Sequence, residues 1–93
     1  MSRAVWKYTI PVDDQDHAFT LGWIAPVLHV ASESLDTVSF WIEHLSNGSE
    51  LERKFRVFGT GHPIPDRAVY VGTVPLPSVG IVWHLYETTA CHG

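Results

Sequence analysis

The residues of this 93-residue chain best suited to chemistry crowd into Arg56-Val57-Phe58-Gly59-Thr60-Gly61-His62-Pro63-Ile64-Pro65-Asp66, with Arg67 next in line. Thr60, His62 and Arg67 bring donors, and the glycine-rich backbone around Gly61 presents N–H groups of its own. That is equipment for holding an anion or the polar head of a small ligand. Gly59 and Gly61 permit backbone angles closed to other residues, while Pro63 and Pro65 fix φ and remove two donors. The stretch therefore reads as a rigid, shaped loop, a place where strand scaffolds often site function. Its plainer reading is a tight connection whose glycines and prolines set only its shape. It is not a phosphate-binding P-loop, because the Lys-Ser/Thr pair and the following helix are missing.

His84, mid-strand between Trp83 and Leu85, completes the ligand-binding candidates. A lone strand histidine is usually a packed residue with a satisfied ring. If its strand neighbours the one leading into the loop, however, His62 and His84 approach each other. Two histidines with Cys91 or His92 would make a zinc set, but no spacing here matches a zinc motif, so neither a metal nor a cofactor is expected. The acidic run Asp13-Asp14-Gln15-Asp16 reads as a solvated turn rather than a cation site. Ser39, Ser46, Ser49 and Ser78 sit in turns or exposed strand positions with no nucleophile elbow, so no catalytic residue is assigned and an enzyme is not expected. A second surface is more suited to a partner. Trp41 beside Lys54 and Arg56 could stack a ring or meet another protein, against the blander reading of outer-face packing.

These residues need a scaffold, and the alternation of the chain supplies strands. Strands are expected at 4–12, 17–21, 27–32, 37–45, 50–58, 68–74 and 81–87. Pro11 hints at an edge for the first. The continuous apolarity of the third, from Val27, points to cover on both faces. Within the sixth strand, Tyr70, Gly72 and Val74 are expected to share a face. Asn47-Gly48 between strands four and five is a strong hairpin signal, because a type I′ turn needs positive φ at both positions. That register pairs Phe40 with Phe55 and Val38 with Val57 on one face, and Trp41 with Lys54 on the other. Seven short strands without a helical period argue for an all-β fold, a small antiparallel β-sandwich or partly open barrel, in a single domain spanning 1–93 with a loose tail over 88–93.

Composition narrows the function classes. A net charge of −4 argues against a nucleic-acid partner bound by phosphate neutralisation. No apolar run reaches the about eighteen residues that span a bilayer, so no membrane partner is expected. The start, Met1 to Lys7, has no long apolar run and is not read as a signal peptide. A single cysteine rules out an intrachain disulfide and suits a reducing cytoplasm.

The motifs Gly59-Thr60-Gly61-His62-Pro63-Ile64, Val71-Gly72-Thr73, Gly80-Ile81-Val82-Trp83-His84-Leu85-Tyr86-Glu87 and Trp6-Lys7-Tyr8-Thr9-Ile10-Pro11 resemble an uncharacterised family. Its members are small proteins of actinobacterial phages and prophages. The resemblance covers nearly the whole chain and departs most over 22–51. It implies a phage origin and work in the host cytoplasm, and it carries no activity. The expectation is a phage-type accessory protein that binds a host protein and alters a host process, defence included. The alternatives are a binder of a small ligand, such as a nucleotide signal, or a self-assembling component. The number of aromatics for this length also leads us to expect a homo-oligomer.

Overall fold

The computed structural model describes residues 2–23, 25–46 and 48–89. Seven strands follow one another: β1 Arg3–Pro11, β2 His17–Gly22, β3 Val27–Ser34, β4 Thr37–Leu45, β5 Glu50–Gly59, β6 Val69–Leu76 and β7 Ile81–Glu87. They form two antiparallel sheets, a three-stranded one in the order β1-β4-β3 and a four-stranded one in the order β2-β5-β7-β6. The sheets pack face to face as a β-sandwich that does not close into a barrel.

The alternation that predicted the strands also fills the core. Ile10, Val38, Phe40 and Ile42 point inward from the three-stranded sheet to meet Leu21, Phe55, Val57, Val74 and Leu85 from the other. Burying each such side chain contributes about 1.5–3 kcal/mol, and this layer holds the sheets together. Phe19 and Tyr8 extend it, with Phe19 edge-on to both Tyr8 and Phe40.

The hairpin expectation fails. β4 lies between β1 and β3, and β5 lies between β2 and β7, so the two strands belong to different sheets. Residues 46–49 carry the chain from one layer to the other. A local turn signal says that the chain reverses, but not whether the returning strand pairs or stacks. Here both ladder sides of each strand are already occupied, and stacking wins. Gly48 donates to the Leu45 carbonyl at 3.2 Å, and Asn47 lies outside the described residues.

Three further expectations are corrected. β3 is an edge strand with Leu28 exposed, not a strand covered on both faces. A bulge between Tyr70 and Gly72 shifts the phase of β6. Gly72 and Val74 therefore face inward, whereas Tyr70 faces out beside Thr73. The expected tail begins firmly: Thr88 is 1% exposed, donates its N–H to the Lys54 carbonyl at 2.7 Å, and gives its hydroxyl to Asp16 at 2.9 Å. Residues 90–93 lie outside the described set.

Candidate functional site

The Gly-His-Pro loop connects β5 to β6. Both strands flank β7 and run parallel to each other, so the link must return along the length of β7. It opens with a tight turn in which His62 N–H donates to the Gly59 carbonyl at 3.1 Å and Gly61 has φ +89°, the angle a type II turn asks of its third residue. The His62 ring then folds back over Gly59, where a Cβ would sit 3.1 Å from the ring. Thr60 instead reaches His84 on the outer face of β7, its hydroxyl 2.9 Å from Nε2. Thr73 stands 3.2 Å from His84 Nδ1, and the Tyr70 hydroxyl is 2.7 Å from Thr73. Of the five loop candidates the fold thus joins Thr60 and His84. Gly61 lies at the corner of the turn, His62 rests on Gly59, and Arg67 is exposed, without an ion pair among the described residues. The Tyr70 and Thr73 partners escaped the sequence because the bulge decides their face.

Trp41, Lys54 and Arg56 do not share a surface. With β4 and β5 in different sheets, Trp41 lies on the outside of one layer while Lys54 and Arg56 lie on the outside of the other. The cation beside Trp41 is Lys7, 5.6 Å from the ring centre, and His29 packs on the indole at 5.4 Å. Lys7 also pairs with Glu33. Arg56 bonds Asp16 at 2.9 Å and lies over Phe58 at 5.7 Å. Phe58 is 4% exposed although it points outward, with Arg56 over its ring and Tyr86 edge-on to it at 5.5 Å.

Toward the opposite end, a buried ionic cluster ties β5 to β7, β2 and the link that follows β2. Arg53 is 7% exposed, and its Nε and Nη2 grip the Glu87 carboxylate at 2.9 and 2.7 Å. Its Nη1 donates to the carbonyls of Gly22 and Ala25 at 2.9 and 2.8 Å. Such a fork satisfies a buried guanidinium, whose planar geometry suits bidentate pairing. Burial alone would raise the Glu87 pKa, but hydrogen bonds from Arg53 and Thr89 outweigh it and hold the carboxyl below its usual value.

Those gripped carbonyls belong to the wall of a cleft of about 370 Å³ at this end. The cleft opens where two links, 23–26 and 46–49, switch the chain between sheets. Trp23 N–H donates to the Ser49 carbonyl at 3.2 Å and ties one link to the other. Trp23, Pro26 and Leu45 supply apolar walls, and Arg3, Glu43, His44 and Glu50 supply polar ones. Arg3 is spoken for by Glu43 at 3.1 Å. Behind the rim, the Tyr8 hydroxyl stands 2.9 Å from His44 Nε2. Burial first, and the Glu50 charge second, raise the Tyr8 pKa, so the phenol stays protonated. That bond holds the ring in place, and His44 Nδ1 has no partner among the described residues. Sequence reading missed this site because its residues are scattered over β1, β2, β4, β5 and two links. Only the Tyr8–His44 side of it had a signal, two polar-tipped residues at inward positions of apolar strands.

The chain matches, over residues 1–92, the family described as Domain of unknown function (DUF7352). No curated protein and no solved structure matches it.

Proposed function

The chain belongs to the DUF7352 family, and we propose that it is a binding module which takes a small ligand in the cleft between its two inter-sheet links. The observation that carries this is the cleft itself. At about 370 Å³ it falls within the range of about 300–1,000 Å³ typical of small-molecule sites. Its wall is held rigid by Arg53 and its histidine by Tyr8 before anything binds, which lowers the entropic cost of binding. Recognition by a preformed cleft needs no nucleophile, and in this reading the domain does no chemistry of its own.

The resemblance of the Gly59–Ile64 motif to phage proteins supports a role in the host cytoplasm as an accessory factor acting on a host process. A second reading, a docking site for a host protein, draws on two indoles at this end. Trp6 and Trp23 are each 58% exposed, which marks an interaction surface more than a solvated one. Native mass spectrometry of the protein recovered from host lysate separates the two. A small-molecule adduct on the domain supports ligand capture, a bound host subunit supports docking, and the same spectrum reports whether the domain self-associates.

A further inference from the structure

Resting on the reading of the cleft as the ligand site, we propose that its ligand is a small aromatic amine or a close chemical relative: a flat apolar body carrying a cationic head.

The charge of the lining points this way. Among the described residues that line the cleft, the charged ones are Arg3, Glu43 and Glu50. Arg3 and Glu43 neutralise each other at 3.1 Å. Glu50 has neither an ion pair nor a side-chain hydrogen bond among the described residues, so the site carries one uncompensated negative charge. The Glu50 field is felt at the neighbouring Tyr8, where it adds to the burial that raises the phenol. An anionic head would meet this field with no free cation among the described lining residues to answer it. Lys54 and Arg67 do not line the cleft, so a phosphate-bearing nucleotide, an attractive ligand on sequence grounds, suits it poorly. A cationic head suits it well: Glu50 offers a carboxylate, and the exposed indole of Trp23 offers a face on which a cation or a flat ring gains further attraction. Pro26 and Leu45 complete a wall for the apolar body.

Three probes with one ring and three heads test this: tryptamine (cationic), tryptophol (neutral) and indole-3-acetate (anionic), each titrated into the full chain and followed by amide and indole chemical shifts. Tryptamine is expected to shift Trp23, His44 and Leu45 and to bind about fivefold or more tighter than tryptophol, the factor that one charge pair at contact distance gives even in high dielectric. Indole-3-acetate is expected to be weakest. Glu50→Gln removes the preference for tryptamine, and Arg3→Gln, which releases the Glu43 charge, enlarges it. Equal binding of all three at the cleft, or tightest binding of the acetate, overturns the cationic class while the cleft stands as the site. If none of the three shifts a cleft residue at millimolar concentration, the cleft reading fails and takes the cation proposal with it.

Discussion

The rings of Phe40 and Phe55 meet at 4.7 Å between centroids, one projecting from β4 and the other from β5, on facing layers of the sandwich. Both are fully buried, and Phe19 touches each of them. The contact joins two strands that follow each other in sequence yet share no hydrogen-bond ladder.

Because this contact is inter-sheet packing, truncating either ring opens a cavity that the opposite sheet cannot close. Phe40→Ala and Phe55→Ala should each cost about 3–5 kcal/mol in urea unfolding. The double variant should fall short of their sum by about 0.5–1.5 kcal/mol, the coupling of an aromatic pair. Strict additivity would contradict a direct contact.

Arg53 and Glu87 make the second prediction. Arg53→Met leaves a partly buried carboxylate without its guanidinium and frees the Gly22 and Ala25 carbonyls, at an expected cost of about 3–5 kcal/mol. Arg53→Met with Glu87→Leu should recover much of that. The acid dependence follows from the lowered Glu87 value. Its stabilisation is present above the ordinary glutamate pKa, about 4.3, and is lost as pH falls below it through the native value. Denaturation midpoints of Glu87→Gln should therefore be flatter than wild type across that acid range. Parallel curves would contradict the assignment.

At the seam between β3 and β6, a Cβ on Gly72 would lie 2.7 Å from Val30 Cγ2. Gly72→Ala should destabilise the domain by about 1–3 kcal/mol, and Val30→Ala in the same chain should relieve part of it. A Gly72→Ala variant as stable as wild type would mean the two edges have room to part.

The strands themselves were legible: the seven expected spans agree with the observed ones to within about two residues, because alternation reports which side of a strand meets the core. What alternation cannot report is pairing. Asn47-Gly48 marked a reversal correctly and the partner wrongly, and Trp41, Lys54 and Arg56 were scattered as a result. One extra residue in β6 turned Tyr70 outward, and with it made the Thr73–His84–Thr60 chain. No local signal marks Arg53 as buried, since its carbonyl partners at Gly22 and Ala25 are about thirty positions away. The cleft is non-local throughout and had no motif to announce it.

The loop offers a sharper discrimination. His62 rests on Gly59 and Arg67 is exposed, so His62→Ala and Arg67→Ala should each change stability by no more than about 0.5–1 kcal/mol. On the present account they should also leave ligand binding at the cleft unchanged. Loss of binding in either variant, with melting temperature preserved, would move the site to the loop.

The cleft as ligand site is tested most directly by filling it. Ser49 lines the cleft and contributes its backbone carbonyl, not its side chain, to the bond from Trp23, so Ser49→Trp occupies the space without removing that tie. Native mass spectra of wild type and Ser49→Trp, recovered from the same lysate and matched for melting temperature, should show a small-molecule adduct on the first and none on the second. An adduct retained by Ser49→Trp, or a wild-type protein that carries none, would contradict the account.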